Sequence, residues 1–128
     1  MQHFYWTMTA DKLIEEYKNL TRNCYHVDYG DKKAVKRNND SVTRMYQIVE
    51  TINNEFGTEG ILKLKPLLDT VDFQTDLWIA THLLEKVSLD KETEKKALSI
   101  IEEVAAGDDA LALGYQYWIK DWKLKRSK

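Results

Sequence analysis

The chain has 128 residues, 43% hydrophobic and 31% charged, with one proline, five glycines and a formal charge of −2. That length and composition suit one globular domain, 1–128, and exclude a disordered chain. A lone cysteine excludes a disulfide framework, and the absence of a leader-like N-terminus or of a ~20-residue apolar run points to a soluble, cytoplasmic protein.

Residues 1–8, which include HFYW, read as an irregular N-terminal arm. Thr9 is placed to cap a first helix, with Leu13, Ile14, Tyr17, Leu20 and Cys24 on one stripe. HVDYGD is a loop that turns at Gly30. A second helix begins near Asp31 and keeps phase through Val35, Val42, Met45, Val49, Ile52 and Phe56, with Gly57 as its left-handed terminator. Thr58 is expected to cap a shorter third helix carrying Ile61, Leu64, Leu67 and Leu68, which Pro66 must kink or break near Lys65.

Asp72 is expected to cap the fourth helix, with Leu77, Ala80, Leu84 and Val87 inward. Asp90 caps the fifth, and Glu92 and Glu94 suit its first turn. Ala97, Leu98, Ile101, Val104 and Ala105 form the fifth stripe, and Gly107 closes it. Asp108 is expected to cap the sixth helix, where Leu111, Tyr115, Trp118 and Trp122 share a face; residues 124–128 form a basic tail. No segment alternates apolar and polar as a strand would. About six helices with short connections predict an all-α domain.

Asp72 and Asp108 also stand 36 residues apart, each opening a helix. At that offset Leu62, Leu64, Leu68, Leu77 and Leu83 fall on Leu98, Ile100, Val104, Leu113 and Ile119. A helix pair repeated at that length is the pattern of a stacked α-solenoid.

The search for chemistry returns little. His3, His26 and His82 show no metal spacing. His82, followed by Glu85 and Lys86, reads as an isolated histidine in an ordinary helix-surface setting. Cys24, His26 and Asp28 form C-x-H-x-D, but Cys24 continues an apolar stripe and reads as a small buried hydrophobe. No phosphate loop or nucleophile elbow is present. Asp108-Asp109 suits a helix start better than a metal pair, and Glu102-Glu103 diverge around their helix. The sequence therefore predicts no catalytic, cofactor or metal site.

Charge is unevenly spread. Residues 1–49 hold 8 bases and 6 acids, residues 50–110 hold 6 bases and 14 acids, and residues 111–128 hold 5 bases and 1 acid. The acidic centre disfavours phosphate and attracts a basic protein. Glu50, Glu55, Glu59, Asp69, Asp72, Asp76, Asp108 and Asp109 are the acidic candidates for a partner surface. Tyr46, Trp78 and Tyr117 lie off the main stripes and are its candidate aromatic anchors, whereas Trp118 and Trp122 read as core or as a cap on the fold. A nucleic-acid module using KKAVKR at 32–37 and KLKRSK at 123–128 is the competing reading, and a structural adaptor a third.

GILKLKPLLDTVDFQTDLWIATHLLEKV and KALSIIEEVAAGDDALALGYQYWIKDW, with Arg37-Asn38-Asn39, resemble a small bacterial HEAT-like repeat family over residues 8–123. The resemblance implies a short right-handed HEAT-like α-solenoid of three helix pairs. It further implies an immunity protein that neutralises a cognate toxin by binding it, and the acidity here suits a basic toxin domain such as a nuclease. HEAT-like units often carry a base after the aspartate turn. This chain has Phe73-Gln74-Thr75-Asp76 instead, which argues against a basic groove there.

Overall fold

A computed structural model describes residues 9–25 and 27–126, and all regular secondary structure among them is helical. The all-α class expected from the sequence is the class adopted. The readings of the HFYW arm and of His26 fall outside the described residues.

The Thr9 hydroxyl accepts the Lys12 amide at 3.2 Å and opens α1, Ala10–Cys24. Leu13, Tyr17 and Thr21 are buried, while Ile14, Leu20 and Cys24 pack at the edge of the core. The Asp31 carboxylate accepts the Lys33 amide at 3.0 Å and opens α2, Lys32–Thr51. Met45, Ile48, Val49 and Ile52 are fully buried. Phe56, expected on the same stripe, is exposed. The chain widens into a π turn at Ile52–Phe56, and that extra residue per turn rotates Phe56 out of phase.

Gly57 does not terminate a helix in the left-handed well. Its φ of 55° and ψ of −140° form a sharper reversal that starts α3, Gly57–Leu64. Thr58 then lies inside α3, and no side chain caps its start. Pro66 breaks the helix where expected: Lys65–Asp69 tightens into a 3-10 turn that buries Leu67 and Leu68.

Asp72 is not the cap of the fourth helix. It opens a 3-10 turn, Asp72–Gln74, in which Phe73 and Gln74 both have positive φ, 56° and 59°. These two residues separate Asp72 from α4, Thr75–Lys86, whose start has no side-chain cap. The Thr75 hydroxyl instead donates back to the Asp72 carbonyl at 2.8 Å. Phe73 is held by the Tyr25 ring at 5.4 Å and the Arg22 guanidinium at 5.2 Å. Gln74 is exposed and has no such contacts among the described residues to offset a left-handed backbone, which costs an L residue roughly 1–2 kcal/mol. Gln74→Gly is expected to raise the unfolding free energy by about 1 kcal/mol, read as a higher urea midpoint with an unchanged slope.

α4 is the central helix. Thr75, Leu77, Ile79, Ala80, Thr81, His82, Leu83 and Leu84 are all buried, the pattern of a helix enclosed on every side. It contacts α1, α2 and α5, Lys91–Ala105. Asp90 caps α5 as expected, accepting the Thr93 amide at 3.1 Å. Hydrogen bonds from Thr93, and then from Lys65, hold the Asp90 carboxyl at about 2.

The last helix, α6, spans Ala110–Arg126. Asp109, not Asp108, is its cap, accepting the Ala112 amide at 2.8 Å. The expected stripe holds except at Leu111. Leu111 is exposed, Ala112 is buried, and Tyr115, Trp118, Ile119 and Trp122 pack half-buried against the core. The 36-residue offset does not carry equal burial, since Leu77 is buried while Leu113 is 53% exposed.

Candidate functional site

Two places in the fold concentrate polar and aromatic groups. The first surrounds His82. Its ring is 1% exposed and its Nδ1 shares a 2.8 Å hydrogen bond with the buried Tyr17 hydroxyl. The Tyr46 ring lies 4.1 Å from it and the Trp78 ring 5.7 Å. Burial, and then the charge of Lys86, push the imidazole down to about 3, so it is neutral at pH 7. The surface histidine read from the sequence is therefore a core residue. The signal was present in LWIATHLL, where apolar residues surround His82 on every helical face.

Around this ring the polar ends are bound to one another. The Tyr46 hydroxyl donates to Glu85 Oε1, and Trp118 Nε1 donates to Glu85 Oε2 at 2.7 Å. The Thr81 and Tyr115 hydroxyls meet at 3.1 Å. Burial, and next the bond to Glu85, raise the Tyr46 phenol well above its usual range. This arrangement joins α1, α2, α4 and α6. The neutral imidazole is sealed from solvent, whereas the Glu85 carboxylate is exposed. Burial also raises the Cys24 thiol, which makes it a poor nucleophile.

Beside it, a groove of about 460 Å³ runs between the end of α4 and α6. Its walls include Trp118 and Trp122, stacked at 6.2 Å and 11°. The surrounding charges are already matched. Lys125 pairs with Asp121 at 3.0 Å, Arg126 with Glu94 at 2.6 Å, and Lys86 with Glu50 at 3.6 Å.

The second place is the end formed by the start of α4, the last turns of α5 and the start of α6. Short turns at 87–90 and 106–109 fold α4, α5 and α6 back on one another. Residues 66–85 and 97–119 contain no lysine or arginine. Asp72, Asp76, Glu102, Glu103, Asp108 and Asp109 gather there without a basic partner among the described residues. Partial burial, offset by the Leu77 amide and reinforced by Glu103, raises the Asp76 carboxyl. Glu103 therefore acts on Asp76 from the neighbouring helix. Val71 is 72% exposed and Leu111 42% exposed at the same end. Arg22 lies over the neighbouring Phe73 ring.

The residues expected on a partner surface divide accordingly. Asp72, Asp76, Asp108 and Asp109 fall together at this end, with the 66% exposed Tyr117 two turns along α6. Tyr46 and Trp78 lie half-buried around His82, and Glu50 is tied to Lys86. Asp69 pairs with Lys96 at 2.7 Å. Glu102 and Glu103, dismissed as a catalytic pair, join the acidic end; the antiparallel return of α5 brings them there.

The two basic runs lie at opposite ends of the fold. The start of α2 sits beside the end of α1, where Cys24 Sγ approaches the Asn38 carbonyl at 4.0 Å, and Thr21 bonds Thr75 at the start of α4 at 2.8 Å. The end of α6 instead meets the end of α4, with Trp122 Nε1 donating to the Leu84 carbonyl at 3.4 Å. They do not form one continuous basic face. Among the described residues no cluster of His, Cys, Asp or Glu is placed to hold a metal ion, and no helix is long and apolar enough to cross a membrane. No family model, curated protein or solved structure matches the chain.

Proposed function

We propose that this chain is a non-catalytic protein-binding inhibitor, an immunity protein that neutralises a cognate basic toxin domain by covering its active or substrate-binding surface. The observation that carries the reading is the end of α4, α5 and α6, where Asp72, Asp76, Glu102, Glu103, Asp108 and Asp109 meet no base among the described residues. Such a field steers and orients a basic partner, while exposed Val71 and Leu111 supply apolar contact. Antiparallel packing of α4 on α5 and α5 on α6 supports the finer reading of the fold as a short right-handed HEAT-like solenoid.

The test is affinity capture from the native host with wild type and with Asp72→Lys/Glu103→Lys/Asp108→Lys. These three side chains cap no helix, so the fold is expected to survive. A basic protein bound by wild type should associate at least about tenfold more slowly with the variant at low salt, and the difference should shrink as salt rises. Expressed alone, that protein should be toxic, and co-expression of this chain should abolish the toxicity. Recovery of nucleic acid that depends on Lys123 and Lys125 would overturn the proposal and favour a nucleic-acid module.

A further inference from the structure

The outer face of α6 carries one continuous stripe. Asp109, Leu113, Tyr117 and Lys120 are spaced by four, four and three residues, so they line up along one side of the helix. Leu113 is 53% and Tyr117 66% exposed, and Asp109 and Lys120 are exposed. The opposite side of α6, through Ala112, Tyr115, Ile119 and Trp122, is the one that packs on the core. A helix at the end of a stacked array has a second face with no neighbour in its own chain.

The order along that stripe is acid, leucine, tyrosine, base. Reversed end for end, it complements itself. An antiparallel copy sets Asp109 against Lys120 and Leu113 against Tyr117, and a two-fold axis repeats both contacts. The same reversal brings the basic end of α6, with Lys123, towards the acidic end of the other copy, with Glu102, Glu103 and Asp108. The axis falls midway between Leu113 and Tyr117 along the helix. A foreign basic partner would suit only the acidic half of this stripe and would meet Lys120 and Lys123 at the other half. The charge pattern therefore selects a second copy of the chain.

We propose that α6 is a homodimer interface, two-fold symmetric and antiparallel, centred between Leu113 and Tyr117. Because it draws Lys123 towards Glu102, Glu103 and Asp108 of the other copy, the dimer competes with a basic partner for the acidic end described above. One helix of 17 residues is about 25 Å long, and a single helix face covers less than the roughly 800 Å² per partner of a standard interface. The dimer is accordingly weak and depends on concentration.

Sedimentation velocity of the full chain across the micromolar range should show a monomer–dimer equilibrium. Tyr117→Glu and Lys120→Glu should each weaken it about tenfold or more. Both side chains are exposed, so unchanged helical circular dichroism and melting would show that the fold is intact. In a Cys24→Ser background, the pair Leu113→Cys/Tyr117→Cys, whose positions face each other across the axis, should form an intermolecular disulfide on oxidation. Lys123→Cys should not, because its two copies would stand about 25 Å apart along the helices. A monomer at every concentration, or equal cross-linking of the pair and of Lys123→Cys, would overturn the proposal.

Discussion

His82→Ala is expected to lower the unfolding free energy by about 3–5 kcal/mol, the range for removing a large buried ring and leaving a cavity. The ring is 1% exposed and lies among Tyr17, Tyr46 and Trp78. Its removal also leaves the Tyr17 hydroxyl buried without its 2.8 Å partner, which alone costs roughly 1–3 kcal/mol. Tyr17→Phe should cost less, since it deletes the hydroxyl while keeping the packing. Urea titrations at pH 7 measure both. A loss under about 1 kcal/mol for His82→Ala would show that the site collapses without penalty and would remove it from the core.

The same residue should set the acid sensitivity of the fold. The folded imidazole titrates at about 3 against 6.5 for the unperturbed group. Between those two values the unfolded chain binds a proton that the folded chain does not. The stabilisation is complete above about pH 6.5 and falls with acidification through the folded value, by up to ~1.4 kcal/mol per pH unit. Asp76 works in the opposite direction, because its folded carboxyl is raised and acidification relieves it. Asp76 is partly exposed and His82 is sealed, so the histidine dominates. Stability measured from pH 7.5 to pH 4 should fall steeply for wild type. His82→Gln, which cannot titrate in that window, should be flatter, whatever its stability at pH 7. Parallel profiles would mean that the imidazole charges without penalty in the folded state.

The helices themselves were legible because their signals are local. Thr9 and Asp90 cap where their side chains and neighbours predict, the second helix opens at Asp31 where expected, and Pro66 breaks the chain for want of an amide hydrogen. The errors fall where two local solutions compete. Asp108 and Asp109 are equivalent by residue type, and the structure caps α6 with Asp109; Leu111, in the first turn, is left exposed. Asp72 resembles a cap until Phe73 and Gln74 turn left-handed, with Phe73 held by Arg22 of α1 and by Tyr25 just after it, which are remote in sequence. The acidic end was half legible. Its α4 and α6 acids were read from composition, but Glu102 and Glu103 reach it only because α5 returns antiparallel to α4. The contacts of Tyr46 and Trp78 with His82 were not legible for a related reason. Trp78 departs from a simple stripe because α4 is buried around most of its length, and Tyr46 reaches the same ring from α2.

Gly60→Ala is expected to destabilise the protein by about 1–2 kcal/mol, against the intrinsic preference of a helix for alanine. Gly60 is buried within α3, where alanine would ordinarily be better by about 1 kcal/mol. Here the added Cβ would lie 2.6 Å from Ile52 Cγ2, 2.7 Å from Phe56 Cβ and 3.0 Å from the Ile52 carbonyl oxygen. Two of these atoms are a β-carbon and a backbone oxygen, which cannot swing aside as a flexible tip would. The π turn at Ile52–Phe56 and the reversal at Gly57 fix them against α3. Relief requires the α2–α3 junction to move, and overpacking of this kind costs roughly 1–3 kcal/mol. Gly114→Ala is the matched control. It too lies within a helix, yet its Cβ would meet nothing within 4 Å, so it should stabilise by up to about 1 kcal/mol. Thermal melts at low protein concentration, where self-association is negligible, should shift in opposite directions for the two variants. Shifts of the same sign would show that helix propensity governs both sites and that the approach of α3 to the π turn is not close enough to demand glycine.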